Sequence, residues 1–170
     1  LVQGSIMLIS QPIWVKIINK IGKKNGYYLA SISWGLGALS WMLVTPGESD
    51  LGIIIRGVFL GIGAGGLLLV GQSMLPDTMQ YDYQTSGHRR EGILAGVYTT
   101  VEKLSFAIGP SILGIMLGYV DYDAVSNSQS ESVINMMYFN AGGFPVICLF
   151  ISCLLITAYN VDQQSLGKNN

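Results

Sequence analysis

Five apolar stretches, each closed by a short polar break, set the rhythm of this chain: residues 1–19, 27–44, 51–76, 93–119 and 133–159. Several of them carry no polar face, so they predict helices set among lipid or other helices rather than on a water-facing surface. The stretch 51–76 is long enough to cross about 30 Å of hydrocarbon at about 1.5 Å per residue, with some tilt. The stretch 27–44 is shorter, but Tyr27, Tyr28, Trp34 and Trp41 are the amphipathic aromatics that favour membrane interfaces. Pro12 lies inside the first stretch, which reads as the tail of a truncated span. The breaks are a turn at Pro46-Gly47-Glu48-Ser49-Asp50, a charge-dense hairpin at 77–92, a loop at 121–131 rich in Ser, Asn and Gln, and a polar tail at 160–170 expected to fray. The pattern predicts an all-α membrane protein.

Charge changes this picture by giving it a direction. Lys16, Lys20, Lys23 and Lys24 follow the first stretch, Arg89 and Arg90 follow the third, and Lys168 lies in the tail. The two intervening breaks hold Glu48, Asp50, Asp121, Asp123 and Glu131, and neither Lys nor Arg. The positive-inside rule then places the lysine loop, the arginine loop and the C-terminus in the cytoplasm, in a multi-pass protein of the plasma (inner) membrane. Composition agrees: 11% of residues are charged and 50% hydrophobic, with mean hydropathy +0.47, whereas a soluble domain has about 25% charged residues. The chain opens on Leu1, already inside an apolar run, without a charged leader region or a small-residue cleavage site. That reads as a C-terminal fragment of a longer membrane protein and not as a signal peptide.

Small residues mark where helices approach closely. Gly57, Gly61 and Gly65 recur every fourth position, a stripe that lets two backbones pack in contact and leaves open a further role as a hinge. Gly61, Gly63 and Gly66 also fit G-x-G-x-x-G, but they sit within one apolar run and not at a strand-to-helix turn, so no dinucleotide site is expected. Pro110, after Gly109 and ahead of Gly114 and Gly118, predicts a kink in the fourth stretch, and Pro145, after Gly142-Gly143, predicts another in the fifth. Cys148 and Cys153 are five apart in an apolar run, which suits core or lipid-facing positions better than a disulfide or a metal pair.

Ionisable residues at membrane depth are the candidate chemistry. Glu102 and Lys103 lie about 15 Å into the fourth stretch, near the bilayer midplane. Lipid cannot solvate them, so both are expected to face protein or water. Adjacent helical residues diverge by about 100°, so each requires its own partner. Two readings stand: structural ion pairs that fix helix packing, or a polar cavity for substrate or coupling ion, lined further by Thr99 and Thr100. Arg56 reads as an interface residue reaching outward toward Asp50. In the hairpin, a helix running past Pro76 would set Asp77 and Tyr81 on one face, and Asp82 would meet Arg89 or Arg90 across the turn at Ser86-Gly87, beside Glu91. These residues form either a solvated loop of weak pairs or a cytoplasmic gate whose ion pairs form and break as the mouth closes and opens.

The pattern Asp77-x-x-x-Tyr81-Asp82-x-x-x-x-Gly87-x-Arg89-Arg90-Glu91-Gly92, with Lys103 eleven residues on, resembles the glycoside–pentoside–hexuronide:cation symporters, the melibiose-permease branch of the major facilitator superfamily. Gly22-Lys23-Lys24 is similar to that superfamily's cytoplasmic loop between the second and third helices of a half. The resemblance implies a twelve-helix transporter in two six-helix halves, of which this chain is a five-helix fragment, helices eight to twelve; the N-terminal half and helix seven are missing. It implies uptake of a sugar or glycoside driven by Na⁺ or H⁺ through alternating access, with Lys103 and Thr99 near the sugar and cation sites. Glu102 stands where an apolar residue is usual in that family, which leaves the coupling ion open. Tyr98 is a candidate aromatic platform for a sugar ring. Same-fold carriage of another cargo such as a lysolipid, or a membrane bundle without transport, remain as alternatives. His88 is the only histidine and no G-x-S-x-G or H-E-x-x-H motif occurs, so no enzyme, resident metal, organic cofactor or nucleic-acid partner is expected.

Overall fold

A computed structural model describes residues 2–45, 47–126, 128–159 and 161; the tail with Lys168, and Pro46 of the first turn, lie outside the described residues. The described residues form helices and no strands: α1 (Val2–Ile21), α2 (Lys23–Ser40, prolonged by a tighter turn at Trp41–Leu43), α3 (Asp50–Ser86), α4 (Glu91–Tyr119), α5 (Glu131–Tyr138) and α6 (Phe144–Leu155, ending in a tighter turn at Ile156–Ala158). Three helical stretches, Asp50–Ser86, Glu91–Tyr119 and Glu131–Ala158, are long and apolar enough to cross a membrane.

The centre of the fold is α3, which packs against both α1 and α2. Its small residues explain how it serves two neighbours. Gly61 lies against Gln3 and Ile6 of α1, where an added Cβ would stand 2.7 Å from the Gln3 carbonyl. At Gly65 the same atom would stand 2.7 Å from the Met7 carbonyl, and Gly57 borders Val2. The stripe read from the sequence therefore faces α1. Gly63 instead meets the backbone of Trp34 on α2, so α3 has a second close face. Gly66 lies under the Trp14 ring and against Ala30. Without a side chain there, the carbonyl one turn earlier stays open, and the Trp14 indole donates to Ile62 O at 2.8 Å. Trp14, Ile18, Ala30, Val70 and Met74 close the core around this contact.

Three expectations need correction. The lysine loop is not a loop: Lys16 and Lys20 lie on α1, and Lys23 begins α2 after a one-residue break at Gly22, whose φ of 82° suits a residue without a side chain. Residues 77–86 of the hairpin are helical, because α3 runs through Pro76 for 37 residues, about 55 Å. Arg56 pairs with Glu48 and not Asp50. Asp50 is the first residue of α3, whereas Glu48 folds back over Gly52 into space that a side chain would fill. The stretch 133–159 contains a π-helical turn, Phe139–Gly143, ahead of Pro145. Proline there leaves the Ala141 carbonyl without its usual donor, and the widened turn absorbs the mismatch. Gly142 then fits against the Ala38 carbonyl of α2.

Candidate functional site

The turn joining α3 to α4 is built from its caps. Gly87, at φ 70°, donates its N–H to Tyr83 O at 2.9 Å. The Ser86 hydroxyl donates to Asp82 O at 2.8 Å and accepts from the His88 N–H at 3.2 Å. This reverses the chain tightly enough for Arg90 to reach back to Asp82. Its Nε lies 3.1 Å from Oδ2 and its Nη2 2.6 Å from Oδ1, a two-pronged pair. Of the two arginines expected near Asp82, Arg90 takes the carboxylate, and Arg89 lies over the Tyr83 ring at 5.1 Å. Tyr81 and Glu91 are exposed.

Asp77 belongs to a different cluster. Its Oδ2 accepts from Lys23 Nζ at 2.5 Å and from the Tyr159 hydroxyl at 3.5 Å. Lys23 also donates to Ser73 O at 2.8 Å. Both charged side chains are 16% exposed, against 48% for Arg90 in the turn pair, so screening weakens the Lys23–Asp77 pair far less. Lys24 donates to Thr157 O at 2.7 Å at the end of α6. The start of α2 is thereby tied to α3 by one lysine and to the end of α6 by the next. The pattern of lysines in the sequence indicates orientation and a family-like cytoplasmic loop, and carries no sign of these contacts. The six hairpin residues thus divide into Asp77 in a bridge between helices, Asp82, Arg89 and Arg90 around the turn, and Tyr81 and Glu91 at the surface.

The remaining candidates lie on α4, none of whose residues is buried. Thr99 and Thr100 bond back to Ala95 O at 2.9 Å and Gly96 O at 2.7 Å, which satisfies their hydroxyls within the helix. Lys103 is exposed and Glu102 half-buried; among the described residues neither forms an ion pair. At about 100° per residue, Gly92, Gly96, Thr99, Lys103 and Pro110 fall along one stripe, and Val97, Val101, Leu104, Ile108 and Ile115 fall opposite. Glu102 borders the polar stripe and shares a shallow open groove of about 430 Å³ with Tyr98, Val101, Ser105 and Phe106. The structure brings these candidate residues together on one helix and leaves their face uncovered.

Residues 3–163 match the family model described as MFS/sugar transport protein. This chain belongs to that family. This MFS/sugar transport family member is an integral membrane protein of the glycoside–pentoside–hexuronide symporter group. It is 32% identical over 117 residues to the uncharacterized symporter sll1374 of Synechocystis, an alignment covering 68% of this chain and 21% of that protein. It is 27% identical over 150 residues to the isoprimeverose transporter of Lactiplantibacillus pentosus, covering 85% of this chain and 30% of that protein. It is 27% identical over 159 residues to the glucuronide carrier protein homolog of Escherichia coli, covering 94% and 34%. The chain therefore spans from 21% to 34% of the length of these relatives. They are named as a symporter, a transporter and a carrier, and this family member is not an enzyme.

Proposed function

We propose that this chain supplies helices eight to twelve of a twelve-helix carrier that moves a sugar or glycoside together with a cation by alternating access. The observation that carries the reading is α4. A 29-residue apolar helix with Glu102 and Lys103 near its middle buries none of its residues in this chain. Lipid solvates neither charge, so the polar stripe requires a protein or water-filled partner face. A second six-helix half across a central cavity meets that requirement. Lys103, Glu102, Thr99, Thr100 and Tyr98 line the cavity in this reading, and the acidic partners of Lys103 stand on the opposing half. The alternation of charge between breaks supports five spans with the C-terminus in the cytoplasm. The isoprimeverose and glucuronide named for two relatives support a glycoside as cargo.

The test is uptake of labelled glycosides by the full-length transporter in proteoliposomes, under an imposed Na⁺ gradient and separately an imposed H⁺ gradient. Accumulation with one ion is expected and assigns the coupling ion, with H⁺ implicating Glu102 as the proton carrier. Failure of every glycoside to accumulate under both gradients overturns the sugar reading.

A further inference from the structure

A second groove lies on the outside of the helix packing, between α2 and α6. Tyr28, Ser31, Gly35 and Leu39 of α2 and Leu149 and Cys153 of α6 border it, over about 470 Å³. Its walls are mostly apolar; the Tyr28 hydroxyl donates to Cys153 O at 3.4 Å, and one further polar group is left unpaired. Ser31 is 4% exposed, and its hydroxyl has no hydrogen-bond partner among the described residues. Most helical serines satisfy that hydroxyl on the preceding turn, as Ser73 does on Val70 O at 2.9 Å. A buried unpaired hydroxyl costs about 1–3 kcal/mol, so this position favours an occupant that brings an acceptor.

The groove has a polar end. Tyr28 follows Lys24 by one helical turn, and Cys153 precedes Thr157 by one turn, so the Lys24–Thr157 hydrogen bond closes the groove one turn beyond Tyr28 and Cys153. Lys24 meets only carbonyl oxygens there, and among the described residues no carboxylate compensates its charge. From Lys24 to Ser31 the helix rises about 10 Å, and from Tyr28 to Leu39 about 16 Å. The second length is that of one leaflet, half of the roughly 30 Å hydrocarbon core. A cation with no carboxylate partner among the described residues, an unpaired hydroxyl about two turns deeper and an apolar trough reaching the midplane follow the order of phosphate, ester and acyl chain in a phospholipid.

We propose that this groove is a binding site for one anionic phospholipid of the leaflet on the lysine side. Its phosphate lies against Lys24, an ester carbonyl accepts from the Ser31 hydroxyl, and one acyl chain fills the trough past Gly35 to Leu39. Basic sites between membrane helices hold acidic headgroups in this way. The inference needs only the membrane placement of the chain, and its test reads no uptake, so it stands or falls separately from the sugar reading.

The test is native mass spectrometry of the full-length transporter released from vesicles of phosphatidylglycerol or of phosphatidylcholine with the same chains. One retained phosphatidylglycerol per protein is expected, with phosphatidylcholine held more weakly. Lys24→Gln is expected to lower retention about fivefold, and Gly35→Leu to abolish it by filling the trough. The Cβ position of Gly35 has only Leu149 nearby, at 3.5 Å, so a side chain can be built there. Ser31→Ala, which removes only the oxygen, is expected to weaken retention while raising the melting temperature of the lipid-free protein, and it guards against misfolding of the Gly35 variant. Equal retention of the two lipids, or retention unchanged by Lys24→Gln and Ser31→Ala, overturns the site.

Discussion

Lys103 stands near the middle of α4 and finds no carboxylate among the described residues. A lysine at that depth costs about 2.5–3.5 kcal/mol on an isolated span, so its presence demands a compensating partner. If it works in the cavity, Lys103→Ala lowers coupled uptake at least tenfold while expression and melting hold; normal uptake would remove Lys103 from the site. Arg90 belongs to a different test. Its pair with Asp82 is half-exposed and worth at most about 1 kcal/mol in a static turn. As part of a gate, Arg90→Ala slows turnover several-fold while glycoside affinity changes little, which single-turnover binding and uptake separate; a loss confined to binding would argue against gating. The candidate charges of the hairpin were legible because charge at a break between apolar stretches is visible in any sequence. Their partners were not. Lys23 and Asp77 are 54 residues apart, and only the packing of α2 on α3 brings them together. Arg56 likewise takes Glu48 because of the room over Gly52, which no spacing rule encodes.

Among the elements, α3 shows which features of a helix a sequence reveals. The spacing of Gly57, Gly61 and Gly65 announces a close face, and the structure lays that face on α1. The second face, through Gly63 to Trp34, overlaps it in sequence and is hidden by it. The two kinds of glycine predict opposite outcomes. At Gly65 an alanine Cβ meets the Met7 carbonyl at 2.7 Å, and backbone cannot give way cheaply. Gly65→Ala is therefore expected to destabilise the protein by about 1–3 kcal/mol, read as a lower melting temperature in detergent. At Gly71 nothing lies within 4 Å of the same atom, so Gly71→Ala is expected to stabilise by about 0.5 kcal/mol. Equal melting of the two variants would deny that the small residues set the spacing of α1 and α3. The extension of α3 past Pro76 was weakly signalled. Polar residues 77–86 read as loop by composition, yet the helix continues; Asp77 is held by Lys23 of α2, and the hydroxyls of Thr78, Thr85 and Ser86 are satisfied on the helix's own carbonyls.

At the scale of the whole molecule, α1, α2 and α3 share a core while α4 stands with both faces open. The two faces differ in chemistry. Thr99 and Lys103 lie on the stripe opposite Val101 and Ile108, and the latter two are 57% and 52% exposed. If the chain completes a carrier with a second half, the polar stripe faces a water-filled cavity and the apolar stripe faces lipid or packed protein. A cysteine introduced on each stripe distinguishes this arrangement from a helix buried uniformly in a static bundle. In a background with Cys148 and Cys153 replaced by alanine, Thr99→Cys is expected to react with a membrane-impermeant thiol reagent at least tenfold faster than Ile108→Cys. A transported glycoside is expected to slow the reaction at position 99 and leave position 108 unchanged. Alternating access adds a further condition: the reagent reaches position 99 from each side of the membrane in turn, and an inward or outward bias imposed by the coupling ion shifts the two rates in opposite directions. Equal, substrate-insensitive reactivity at both positions would show that the charges of α4 serve helix packing, and the proposed cavity would then have to be sought elsewhere in the protein.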